Sequence, residues 1–453
     1  MGDKHRKLTL SETTKIALRP LKALLGNKSL FLDLLEHTAS IDAERISFNL
    51  GSRYFMLLKD PEDIGQILTA PIDKVGHSLY QADPVSLSGN NKLVTNSDGE
   101  TWKQQRRKLA GFMSPKGLKS GFADEAKEFV ADYVKSWEES STIAVAQEAS
   151  RLSLKYMFKA SFNHELSNDD CDKLHLAADG MHRYLYWSVV NRGIVPKAVV
   201  RGATRVNKTT DLYNDLADKL VESYEKSSNE EREKNIFNFL LSEDDPKDQA
   251  RATIKEMLVA GHFSVRTAFY WALHNLARHP EHQEIIRSES KLTEEMKMPS
   301  RPEREGNIPM SMKASLETLR LYPPFYMFLK ETKTDFKGKE GLDLPAGTTV
   351  LVPPWIVQRD PKNYPNPNEF DPDANFAPHE IRNRSRYAFL PFGHGPHNCP
   401  GSGLTLQQMA STLTEICENY TLAPLNGDED MPDVTADVFL KPENETMLRI
   451  TPE

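Results

Sequence analysis

The chain has 453 residues, of which 39% are hydrophobic and 27% charged, and its formal net charge is −8. That length allows one large core or two to three ordinary domains, and the acidic balance argues against a nucleic-acid partner. Three widely spaced cysteines, Cys171, Cys399 and Cys417, argue against a disulfide framework or a CxxC zinc site and fit a reducing cytoplasm.

Residues 1–28 interleave Lys4, Arg6, Lys7, Lys15, Arg19, Lys22 and Lys28 with Leu8, Ile16, Leu18, Leu21, Leu24 and Leu25. This weakly basic amphipathic pattern fits an N-terminal helix capping the domain or a peripheral membrane contact. No run of about 18 apolar residues follows, so nothing reads as membrane-spanning, and the start lacks the apolar stretch of a signal peptide. A soluble, cytoplasmic protein is expected. Residues 29–453 show no repeat and no concentrated Pro/Gly linker, and they read as one domain.

The region from about 41 to 58, containing ERISFNLGSRYFMLL, alternates around a glycine and reads as a hairpin. In SDGETWKQQRRKLAGFMSP (97–115), Trp102 and Arg106 lie four apart on one helix face. An indole N–H and a guanidinium both donate, which suits a pair of carboxylates; a buried Trp beside a solvated Arg is the other reading. From about 102 to 290 the periodicity is mostly helical, as in EAKEFVADYVKSWEE and TDLYNDLADKLVESYEK. Within TIKEMLVAGHFSVRTAFYWALHNLARHPEHQ (253–283), Ala260, Phe263, Ser264 and Thr267 project to one side, and Gly261 allows a local distortion. The charged stretches at 229–234 and 297–306 read as solvated loops. ASLETLRLYPP (314–324) sets Glu317 and Arg320 three apart on a helix ended by two prolines. TTVLVPP (348–354) reads as a strand, so a small sheet is expected to be assembled from the two ends of the chain.

Near the C-terminus, FGHGPHNCPG (392–401) puts Cys399 at the end of a glycine-punctuated loop. A thiolate is a soft, donating iron ligand. Gly393, Gly395 and Gly401 permit tight or left-handed backbone, Pro400 suits a first helical turn, and a helix N-terminus favours an anionic sulfur. A CxG fragment alone would equally suit a buried structural cysteine.

Together these motifs resemble the cytochrome P-450 superfamily over about residues 40–450. Phe392, Gly395, Cys399 and Gly401 match its haem-ligand signature, with His397 at the basic position. The resemblance implies a mainly α, single-domain fold with small β-sheets. It places haem b between the central helix at Ala260 to Thr267 and the loop of Cys399, the axial thiolate and metal ligand. It implies that Trp102 and Arg106, with His397 and Lys330, meet the haem propionates, and that Ala260, Phe392 and Gly401 belong to the haem pocket. Glu317 and Arg320 match the structural ExxR pair. The implied activity is oxidation of a small apolar or aromatic molecule with O2. The chain carries no flavin or iron–sulfur module, so electrons are expected from a separate ferredoxin or flavodoxin. A basic patch of Arg106, Arg107, Lys108, Arg382, Arg384 and Arg386 suits an acidic donor.

Two departures from the family pattern stand out. The acid and threonine of the oxygen-side helix are replaced by Phe263 and Ser264, so Ser264, Thr267 and Phe263 are the residues on which catalysis turns. Proton delivery is then expected through water, His262, Thr267 or a substrate group. Arg266, on the shoulder of the same face, can hold a substrate carboxylate or phenolate, or pair with a neighbouring helix. In YPNPNEFDPDANF (364–376) the family's third network arginine is missing, and Ala374 and Asn375 stand there. Closure through His379, Arg382 or Arg384 is expected. Three functions remain open: a monooxygenase, a haem-thiolate enzyme without net oxygen insertion (phenol coupling, peroxygenation or rearrangement), and a non-enzymatic haem-binding protein. Substrate contacts are expected in 76–92, 180–195 and 325–329, where Tyr184, Tyr186, Trp187, Phe325, Tyr326 and Phe328 suggest an aromatic-lined cavity.

Overall fold

A computed structural model of the chain describes residues 4–9, 30–50, 52–77, 99–191, 203–241, 246–290, 308–427, 432–437 and 439–453. The fold is mainly helical with small sheets. The helices used below are α1 (Gly99–Phe112), α2 (Ala123–Lys135), α3 (Val145–Phe162), α4 (Asn168–Asn191), α5 (Ala203–Lys226), α6 (Pro246–Glu256), α7 (Phe263–Arg278), α8 (Pro280–Ser290), α9 (Met310–Leu321) and α10 (Ser402–Asn419). Their ends follow local chemistry. α3 stops at Asn163, whose φ of 52° reverses the chain in the left-handed region. Residues 229–234, expected as a loop, instead form the helix Asn229–Lys234, because Ser228 and Glu231 exchange hydrogen bonds in a capping box.

The main sheet does combine the two ends of the chain. Its strands are β1 (His5–Lys7), β2 (Arg45–Leu50), β3 (Arg53–Leu58), β4 (Val75–His77), β6 (Phe328–Thr332) and β7 (Thr349–Val352), in the order β1-β2-β3-β7-β6-β4. A second sheet sets β9 (Met447–Pro452) between β8 (Tyr420–Pro424) and β5 (Thr142–Ala144). The hairpin expected at 41–58 is β2 and β3, and the strand expected at 348–354 is β7. The helix expected near the N-terminus is not what His5–Lys7 adopt. They pair parallel with Arg45–Ser47, and the Leu8 amide donates to the Ser47 carbonyl at 2.8 Å, so an available sheet edge overrides the weak helical pattern. Residues 1–3 and 10–28 of that segment lie outside the described residues.

One apolar cluster joins α2, α3, α7, α8, α9 and α10. At its centre Trp271 of α7 stacks on Tyr322, just beyond α9, with ring centroids 4.1 Å apart. A second cluster packs α4, α5 and α6 against the end of α3. α7 belongs to the first cluster along most of its length, and Phe263 at its start joins the second. Among the described residues, no helix is long and apolar enough to cross a membrane.

Candidate active site

The Cys399 loop is shaped by close backbone approaches. At Gly395, φ is 74°, and a Cβ there would lie 1.9 Å from the Leu68 carbonyl oxygen, so no larger residue fits. The Cys399 amide donates to the Phe392 carbonyl at 2.8 Å, which closes the loop on itself, and α10 begins directly behind Gly401. Burial pushes the Cys399 thiol up, opposed by hydrogen bonds from the Gly401 and Ser402 amides and by the Arg106 charge. A metal ion bound at such a sulfur deprotonates it outright.

Beside the loop lies a concentration of hydrogen-bond donors. The buried Trp102 indole meets the His397 ring edge-on at 4.6 Å, and Arg106, one turn further along α1, donates to Asn398 Oδ1 at 2.5 Å. Lys330 is buried on β6, where strand register pairs it with His77 of β4. The His77 ring in turn sits 4.2 Å from His397. Burial first, then Lys330, His77, Lys333 and Arg106, pushes His397 down to about 3, so it is a neutral imidazole among cations. Trp102, Arg106, Lys330, His397 and Cys399 are therefore brought to one site. Sequence reasoning missed His77 and Asn398. His77 fell in a stretch read as substrate loop, and only the β4–β6 register connects it to Lys330.

The helix expected to carry the oxygen side spans Met257–Arg278. Residues Met257–His262 form a π-helical turn leading into α7, the distortion expected at Gly261. A Cβ on Gly261 would lie 3.0 Å from Met157 Sδ, so α3 packs tightly against the irregular turn. Ser264 Oγ donates to the Ala260 carbonyl at 2.7 Å and Thr267 Oγ1 to the Leu440 carbonyl at 3.0 Å. His262 is fully buried and shares hydrogen-bond contacts with Ser150 and Ser153 of α3, as a core residue would. Arg266 Nε donates to the Ala146 carbonyl at 3.4 Å, its neighbouring-helix role. Phe263 stacks on Phe439, and Phe439 packs 4.4 Å from Phe325, which faces Phe328. Tyr326, by contrast, is buried in the sheet core and donates to the Asp437 carbonyl at 2.8 Å, so it is structural. The side chains of Tyr184, Tyr186 and Trp187 lie outside the described residues.

Glu317 and Arg320 form a fully buried bidentate pair with contacts of 2.7 and 2.8 Å. Arg320 also donates to the carbonyls of Gln358, Pro367 and Glu369, and Glu317 Oε1 accepts from the Asp371 amide at 2.9 Å. The third position is filled by Asn375, whose Nδ2 donates to Glu317 Oε1 at 2.9 Å. Behind it, Arg384 donates to the Asn375 carbonyl and to the Asn363 carbonyl and lies 3.9 Å over Tyr364. Of the three residues expected to close the network, Arg384 does so through Asn375; His379 and Arg382 are exposed. Gln358 links this network to the loop, donating to the Arg320 carbonyl and accepting from the Leu390 amide at 2.6 Å. Arg384 is thus removed from the expected basic patch, while Arg107, Lys108, Arg382 and Arg386 remain exposed.

A family model described as Cytochrome P450 matches residues 43–450. The chain belongs to the cytochrome P450 family and is an enzyme of the haem-thiolate monooxygenase type. It is similar to cyclooctatin synthase of Streptomyces melanosporofaciens, at 23% identity over 88% of this chain and 87% of that protein. It is also similar to cyclooctat-9-en-7-ol 5-monooxygenase of the same organism, at 25% over 89% and 88%, and to cytochrome P450 4A6 of Oryctolagus cuniculus, at 25% over 98% and 92%. The family binds haem iron, and the residues present fit it: a loop-held sulfur with two amide donors, and beside it a donor cluster suited to an anionic edge.

Proposed function

We propose that this enzyme binds haem b through Cys399 and oxidises a small apolar or aromatic molecule with O2, using electrons from a separate ferredoxin or flavodoxin. The observation that carries this reading is the convergence of Trp102, Arg106, Lys330 and His397 beside the Cys399 loop. When bound, the haem supplies an iron that activates dioxygen at the cost of two electrons and two protons. Cys399 would ligate the iron and supply it with electron density. Trp102, Arg106, Lys330 and His397 would hold the two carboxylates of the cofactor as donors, and Ala260, Phe392 and Gly401 would line its pocket. Phe263, Phe325, Phe328 and Phe439 offer an apolar wall that excludes water and receives hydrocarbon surface. Two relatives, named cyclooctatin synthase and cyclooctat-9-en-7-ol 5-monooxygenase, agree with such a wall and support a place in secondary metabolism.

A second reading, oxidation without net oxygen insertion, draws on the oxygen-side helix. Phe263 has no proton to give, and the Ser264 and Thr267 hydroxyls donate to backbone carbonyls. Protons must then come from water or from the substrate. Two assays test these readings. The reduced, carbon monoxide-treated protein is expected to show the thiolate-specific Soret band, and Cys399→Ala to abolish it; an unchanged spectrum in that variant overturns the haem assignment. Single turnovers with reduced ferredoxin against peroxide separate the two activities, since only the first reading requires product from the ferredoxin arm.

A further inference from the structure

We propose that His279, Glu281 and His282 form a binding site for one divalent transition-metal ion of the zinc class, at the junction of α7 and α8. The sequence there reads HPEH. His279 caps the end of α7, Pro280 opens α8, and Glu281 and His282 follow in its first turn. One donor atom from each of the three side chains lies within 4.8 Å of the others, and His279 Nδ1 is 3.0 Å from Glu281 Oε1. Ligands of a tetrahedral zinc shell are separated by about 3.4 Å, so small side-chain rotations close the set.

The second observation is His282 itself. It is 9% exposed, and its Nδ1 has no hydrogen-bond partner, a costly arrangement for a buried imidazole. Phe370 walls the site, with its ring centroid 5.2 Å from His279 and 6.0 Å from His282. Two imidazoles and a carboxylate are the donor set that borderline ions take, whereas magnesium and calcium prefer oxygen alone.

The site is separate from the oxygen chemistry, since His279 lies about 22 Å along the helix axis from Ser264. Its consequence is mechanical. Phe370 precedes Asp371, whose amide donates to Glu317 at 2.9 Å. An ion held here would tie the end of α7 to the first turn of α8, with the Phe370 ring packed against both imidazoles.

The test is calorimetric titration of tag-free, chelator-treated holoenzyme with Zn2+ alone, with haem absorbance followed in parallel. One ion per chain with a micromolar Kd is expected, weakened at least tenfold in Glu281→Gln and in His282→Ala. Thermal unfolding of the wild type is expected to rise with Zn2+ and that of Glu281→Gln to stay level. Glu281 is largely exposed, so its substitution leaves the fold intact and decides the matter even if His282→Ala does not fold. Absence of saturable micromolar binding, or equal affinity in wild type and Glu281→Gln, overturns the proposal.

Discussion

Asn375 shows how a network of fixed charge can be rebuilt with a neutral member. Its amide donates to Glu317 where the family pattern has a guanidinium, and Arg384 supports it from behind while sharing the Tyr364 ring with Arg320. Removing one donor to a buried carboxylate costs about 1.5–3 kcal/mol, so Asn375→Ala is expected to lower the unfolding free energy measured in urea by that amount without abolishing haem binding. Glu317→Ala should be worse. It strands the Arg320 charge in the core, which costs about 3–5 kcal/mol, and is expected to yield little soluble holoprotein in expression trials. Single residues differed in how far they could be read from sequence. Cys399 was legible because thiolate chemistry resides in one side chain and its loop is contiguous. Asn375 was misjudged because a neutral amide carries no charge signal, and His77 was missed because its link to Lys330 exists only through strand pairing.

Elements were legible where the periodicity was long and local. The long helices between 102 and 290, the β2–β3 hairpin and the irregularity at Gly261 followed from pattern and glycine placement, whereas the short helix Asn229–Lys234, set by its capping box, did not. His5–Lys7 did not, because the sheet edge that recruits them lies elsewhere in the chain. Nor did the orientation of the hydroxyls on the oxygen-side helix, which depends on the π-turn carbonyl of Ala260 and on the distant Leu440. That helix sets an element-scale prediction. Phe263→Asp introduces the missing acid among the rings of Phe439, His175 and His262. Product formed per electron consumed is expected to rise severalfold while the thermal midpoint falls, because a buried carboxyl replaces a ring packed among other rings. Unchanged coupling would instead point to water or substrate as the proton source. Ser264→Ala is expected to keep electron consumption and lose product, measured as peroxide released.

For the whole molecule, a net charge of −8 coexists with exposed Arg107, Lys108, Arg382 and Arg386. An acidic electron donor is expected to reduce the protein more slowly as salt rises, since screening sets in over about 10 Å at 0.1 M. Charge reversal at Arg107 and Arg386 together should slow reduction about tenfold at low ionic strength, roughly 1.4 kcal/mol, with the difference fading in high salt; stopped-flow reduction measures both. The Gly395 approach to Leu68 has a further consequence for recombining this protein with its relatives. The helix Pro61–Leu68 backs the loop twice, since a Cβ on Gly65 would also lie 2.3 Å from Tyr387. The same stretch continues into the strand bearing His77. Residues 61–77 and 387–401 are thus packed as one unit, and a chimaera that exchanges one without the other has to preserve both close approaches.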